Sequence, residues 1–167
     1  EHEEKYQGYV TQMSQMIEQG KYEDAQTVIE TAEKFEPARI EPYFNRTKIM
    51  FFNKDYQQCM AYPDTVVTLE VKENEQNDLK LAAQMYEMAA ESAFELEEYD
   101  SAAKAYEQAL MYDDQLIECY RDLTISYARL GKIDQAEKTL QLARDAGLLV
   151  DRLELMQGEI YSAKSDN

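Results

Sequence analysis

Apolar residues recur along this chain three and four positions apart, the period of a helix, and nowhere sustain the alternation of a strand. Between residues 120 and 143, Tyr120, Leu123, Tyr127 and Leu130 form one such stripe. Gly131 and Lys132 interrupt it, and Ile133, Ala136, Leu140 and Ala143 resume it. Two amphipathic helices joined by a tight turn are predicted here. Gly131 suits the left-handed backbone that ends a helix, and Asp134 suits the positive end of the next one. Gly20 and Lys21 repeat the arrangement near the start of the chain.

The pattern recurs at a fixed interval. Tyr9, Tyr43, Tyr86 and Tyr120 are spaced by 34, 43 and 34 residues. Tyr22, Tyr56, Tyr99 and Ile133 keep the same spacings, as do the small residues Ala25, Cys59, Ala102 and Ala136. Three columns that agree on one period and one nine-residue insertion predict a repeat of helical hairpins. Such hairpins cannot bury their apolar faces alone and must stack.

The motif Tyr120, Leu123, Tyr127, Gly131, Ala136, Leu140, Ala143, on its 34-residue period, resembles the tetratricopeptide repeat. Tyr86, Ala89, Ala90, Ala93, Tyr99, Ala102, Tyr106 and Ala109 follow the same pattern. So do Tyr9, Met16, Gly20, Tyr22, Ala25, Ile29, Ala32 and Pro37. The resemblance implies an all-α, right-handed superhelical solenoid of antiparallel helix pairs, about nine helices in all. The whole chain is expected to be a single array with units at about 6–39, 40–73, 83–116 and 117–150. An insertion at 74–82 lengthens a flanking helix, and a capping helix or partial fifth repeat follows at 151–164. Gly158 and Tyr161 in that tail fall in phase with the family's columns.

The match departs from the family in places. Tyrosine replaces tryptophan in the first column, and the small-residue position of each first helix reads Met13, Thr47, Ala90 and Thr124. The second unit is the weakest. Pro63 falls eight residues after Asp55, where it removes a backbone donor and crowds the preceding turn, so a kink or break is expected. Asp64 is placed to cap a restarted helix.

Charge narrows the function. Against 34 acidic residues stand 17 basic ones, a formal net charge of −17. This disfavours nucleic acid and anionic membrane surfaces and favours a partner with basic character. No apolar run is long enough to enter a membrane as a spanning helix. The chain starts at Glu1 without a signal-like segment, which reads as a processed form or an excised piece. A cytoplasmic location is favoured, with an exported, lipid-anchored form as the alternative.

Catalytic chemistry has no foothold in the sequence. The single histidine, His2, sits at the terminus, where fraying leaves no metal or proton role. Cys59 and Cys119, 60 residues apart, match no metal spacing and read as small buried residues. No catalytic residue, cofactor site or metal site is expected, and the chain is read as no enzyme.

What remains is binding. The resemblance implies a protein–protein or peptide-binding scaffold whose concave groove is lined by the first helix of each unit. A ligand-binding part of an envelope protein and a regulatory arm of a larger enzyme are the alternatives. Carried over by position, the groove takes Val10, Ser14 and Ile17 from the first unit, and Phe44, Asn45, Lys48, Phe51 and Phe52 from the second. The third adds Glu87, Glu91, Phe94 and Glu95, and the fourth adds Arg121, Ile125 and Arg129. Only Asn45 matches the clamp with which relatives hold a C-terminal carboxylate, and the cations of that clamp are missing. Glu87, Glu91 and Glu95 stack like charges at four-residue steps, which costs the helix stability unless something offsets it. Pairing of Glu87 with Arg121 and of Glu95 with Arg129 would leave Glu91 over. A basic peptide segment in the groove would offset all three.

Overall fold

The computed structural model describes residues 1–70 and 76–166, and nine helices account for nearly all of them. They are α1 (His2–Glu18), α2 (Tyr22–Phe35), α3 (Glu41–Phe52), α4 (Tyr56–Glu70), α5 (Gln76–Glu95), α6 (Tyr99–Tyr112), α7 (Cys119–Arg129), α8 (Ile133–Ala146) and α9 (Val150–Ser165). Among the described residues there is no strand.

One turn is built four times. At Gly20, Lys54, Glu97 and Gly131 the backbone is left-handed, with φ of 76°, 60°, 58° and 74°. In each case the next amide reaches back five residues: Lys21 to Met16, Asp55 to Met50, Glu98 to Ala93 and Lys132 to Tyr127, at 2.8–2.9 Å. That bond satisfies a carbonyl the ending helix leaves open and turns the chain sharply into the second helix.

Behind each turn the small-residue column closes the hairpin. Ala25, Cys59, Ala102 and Ala136 are fully buried, as are Met13, Thr47, Ala90 and Thr124 on the facing helices. Both cysteines are free and buried, and burial pushes their thiols up from the ordinary value. They pack as small apolar groups.

Each hairpin stacks on the next, α2 on α3, α4 on α5, α6 on α7 and α8 on α9. The odd-numbered helices also pack side by side in the order α1, α3, α5, α7, α9, whereas the second helices make no comparable contact with one another. A stack tight along one edge and open along the other must curve. The first helices line its inner face.

The core has two parts. A large cluster runs from Ile40 through Tyr86, Tyr106 and Tyr127 to Ile160, and a small one joins Tyr6, Met13, Ile29 and Ala32. Polar contacts tie the N-terminal hairpin to α3. The Tyr6 hydroxyl donates to Glu41 at 2.9 Å, and Arg46 holds Glu33 through two bonds of 2.5 and 2.9 Å while donating to the Tyr62 hydroxyl at 3.0 Å. Arg46 occupies the position where the fourth hairpin has Leu123.

Two expectations change. Helix α4 runs through Pro63 without a break, with the proline ring buried, and Asp64 accepts from the Tyr86 hydroxyl at 2.8 Å instead of capping a new helix. Helix α1 begins at His2, whose ring stacks on Phe35 at 4.3 Å and meets the Glu36 carboxylate at 2.5 Å. Of the insertion expected at 74–82, residues 74 and 75 lie outside the described residues. The rest forms the first two turns of α5, which at 20 residues is the longest of the described helices.

The tail helix α9 packs on α7 and α8 through the buried Met156 and Ile160. Its neighbours in phase are polar where α7 is apolar: Glu154 stands where α7 has Tyr120, and Gln157 where α7 has Leu123.

Candidate functional site

Two hollows adjoin on the inner face. The first, of about 250 Å³, lies between α3 and α5 and is walled by Phe44, Lys48, Phe51 and Phe52 on one side and by Gln84, Glu87, Met88 and Glu91 on the other. The second, of about 290 Å³, continues from Glu87 and Glu91 to Tyr106, to the loop at Gln115–Glu118, and to Cys119, Arg121 and Asp122 of α7. Glu87 and Glu91 belong to both. The four-residue step that makes them neighbours on α5 also points both along the groove.

The acids around this junction differ in what they hold. The Cys119 thiol donates to Glu87 at 3.3 Å. Asp122 accepts from Arg121 at 3.0 and 3.3 Å and from the Tyr106 hydroxyl at 3.1 Å. Glu118 pairs with Arg152. Glu91 makes no hydrogen bond or ion pair with any described residue. Burial pushes its carboxyl up to about 7; Glu87, Asp122 and Glu95 push the same way, and Arg121 opposes them.

The aromatic wall is built by two consecutive phenylalanines at the end of α3. Phe51 and Phe52 lie 6.1 Å apart, Phe51 leans on Tyr56 at 6.2 Å, and Phe52 is about half exposed at 47%. The Lys48 ammonium sits 5.5 Å over the Phe44 ring.

The remaining groove residues fall elsewhere. Asn45 and Ile125 are buried at 1% and 5% exposure and support the wall from behind; Asn45 donates to the Glu41 carbonyl at 2.9 Å. Ile17 is buried as well, while Val10 and Ser14 are half-buried on α1, outside both hollows. Phe94 packs edge-on against Tyr99 at 5.6 Å. Glu95 is exposed.

The two lateral ion pairs considered from sequence do not form. Arg129 grips Glu159 of α9 through two bonds of 2.9 and 3.0 Å and donates to the Tyr99 hydroxyl at 2.7 Å, so it never turns to Glu95. Arg121 spends its donors on the adjacent Asp122. The tail helix and a neighbouring carboxylate thus claim the two cations. Neither claim is visible without knowing where α9 docks and which way Asp122 faces. Sequence reasoning also missed Tyr106, Cys119 and the Gln115–Glu118 loop as walls of the groove. Nothing in their spacing marks them.

Two larger hollows, of about 450 and 470 Å³, lie on the opposite face among α4, α6, α7 and α8, with Glu107 and Met111 common to both. Of their charged groups, Lys104 pairs with Asp100 at 3.0 Å and Asp64 accepts from Tyr86, while Glu107 and Lys138 are exposed to solvent. Size favours this face, and a half-buried unpaired charge, Glu91, favours the inner one. Charge is the better guide, because it specifies a partner and volume does not.

Among the described residues no group of three or more His, Cys, Asp or Glu is arranged to hold a metal ion, and no helix is long and apolar enough to cross a membrane.

No family model matches the sequence, and no curated protein does. Among solved structures the chain is similar to the crystal structure of a thermophilic TPR protein from Thermus thermophilus, at a TM-score of 0.54 and 18% identity, over 96% of this chain and 89% of that one. A likeness at that identity speaks for the fold alone. The described residues form an all-α solenoid of stacked helical hairpins that resembles this TPR protein in fold.

Proposed function

We propose that the chain is an interaction scaffold without catalysis of its own, and that its inner groove takes a basic segment of a partner protein carrying apolar side chains between its cations. The units run at about 6–39, 40–73, 83–116 and 117–150, and the two central ones supply most of the groove. Phe44, Phe51 and Phe52 anchor the apolar side chains, and Glu91, with Glu87 beside it, receives a cation. The observation that carries this reading is Glu91 itself, a half-buried acid at the meeting point of two hollows whose neighbours are already engaged. In a chain of net charge −17, a cationic partner also gains from the field of the whole molecule.

A fluorescein-labelled dodecapeptide of alternating arginine and leucine tests the reading by fluorescence anisotropy. Phe44→Ala is expected to weaken binding by roughly tenfold, about 1–2 kcal/mol for a truncated aromatic anchor. Glu91→Lys is expected to weaken it more. Wild-type affinity in both variants refutes the groove.

A further inference from the structure

The acid at the centre of the groove lines both hollows and makes no hydrogen bond or ion pair with any described residue. We propose that seating a basic side chain at Glu91 expels a proton, so that the groove holds its partner more tightly as pH rises through neutrality. This rests on the groove reading above.

The geometry explains why Glu91 alone behaves this way. On its own helix it faces Glu87 and Glu95, both carboxylates. From α7 it meets Asp122 and the guanidinium of Arg121, which Asp122 already occupies, together with the Cys119 thiol. Tyr106 reaches toward it from α6 and Cys59 from α4, both neutral and both buried. Across the first hollow stands Lys48, its ammonium over Phe44. Glu118 closes the far end and holds Arg152. Arg121 is the cation that acts on Glu91, shared with Asp122 and making no hydrogen bond to Glu91, and three carboxylates oppose the Glu91 charge.

An empty groove therefore keeps a proton on Glu91 up to about pH 7. A guanidinium entering either hollow supplies the missing counter-charge and the missing donors. The carboxyl then ionises, its proton leaves to solvent, and a charge-assisted bond forms. Below pH 7 the cation must first displace that proton, which weakens binding in proportion to the protonated fraction. The expected gain between about pH 6 and pH 8 is about tenfold in affinity, because the fraction ready to bind rises from about one in eleven to nearly all. Ordinary carboxylates are ionised across that whole window and contribute no slope. His2, the only histidine, lies on α1 against Glu36, away from the groove.

The test is the binding of the arginine–leucine dodecapeptide to the intact chain at about pH 6, 7 and 8, at constant ionic strength of about 0.15 M. Wild type is expected to gain about tenfold from pH 6 to pH 8, with release of about one proton per peptide at pH 6, falling to about a tenth of one at pH 8, by calorimetry in two buffers of different ionisation enthalpy. Glu91→Gln, close in shape and uncharged, is expected to fold, to bind more weakly at pH 8 and to lose the slope. A wild-type profile that is flat, or a slope that persists in Glu91→Gln, overturns the proton coupling. Binding that is flat with pH yet still weakened by Phe44→Ala overturns the coupling alone and leaves the groove standing. Absence of binding at pH 8 overturns both.

Discussion

Replacing Glu91 by glutamine should make the partner-free protein more stable at pH 8 than wild type, and the advantage should vanish in acid. The carboxyl is held at about 7 in the fold, against an ordinary value of 4.5 that the unfolded chain restores. Between those two values the folded protein binds more protons than the unfolded one, so stability falls as pH rises through the interval. Moving a carboxyl that far corresponds to roughly 3 kcal/mol if fully expressed. Glu91 is half-exposed, and solvent screening reduces this to roughly 1 kcal/mol. Glutamine keeps the shape and removes the titration. Urea unfolding followed by helical circular dichroism at about pH 5 and pH 8 measures the difference, provided the slope with denaturant is the same for both proteins. Wild type and Glu91→Gln should be close at pH 5 and differ by roughly 1 kcal/mol at pH 8, with glutamine the more stable. An equal offset at both pH values, or a wild type that gains on the variant as pH rises, refutes the description of Glu91 as a strained, unpaired acid.

Other consequences follow from the fold. The Thr124 hydroxyl is fully buried without a hydrogen-bond partner among the described residues, so Thr124→Val should stabilise by about 1 kcal/mol, read as a rise in the urea midpoint. Glu97 holds a left-handed backbone that two of the four turns assign to glycine; Glu97→Gly should raise stability by roughly 0.5 kcal/mol, relief of about 1–2 kcal/mol of strain less the extra freedom glycine has when unfolded. Ala102 is fully buried between the helices of the third hairpin, and Ala102→Leu should destabilise by about 1–3 kcal/mol with loss of helical signal on mild heating.

Much of the architecture was legible because a repeat states each constraint several times. The tyrosine and small-residue columns announce the hairpins, and Gly20 and Gly131 announce two of the four turns. The other two were not legible at Lys54 and Glu97, where tertiary packing imposes a backbone that neither residue favours. Pro63 was misjudged for a related reason. A buried ring on a helix packed against α5 can outweigh one lost backbone bond, and local rules do not see that packing. In the groove, Phe44, Phe51, Phe52, Glu87 and Glu91, carried over by the family resemblance, line one hollow between α3 and α5. Which acid stays unpaired depends on partners far along the chain. Arg129 is taken by Glu159 and Glu118 by Arg152, both reaching α9, contacts some thirty residues away that a single sequence does not reveal.

The groove and the overall charge make separable predictions for a basic ligand, and charge-matched variants separate them. Glu87→Lys with Glu91→Lys changes net charge by the same amount as Glu30→Lys with Glu107→Lys, whose exposed residues lie on the second helices α2 and α6. With the arginine–leucine peptide at pH 8, the groove pair should lose more than tenfold in affinity, and the outer pair should lose no more than about threefold from the weakened field. Equal losses in the two proteins would mean that the peptide follows net charge and that the inner groove is not its site.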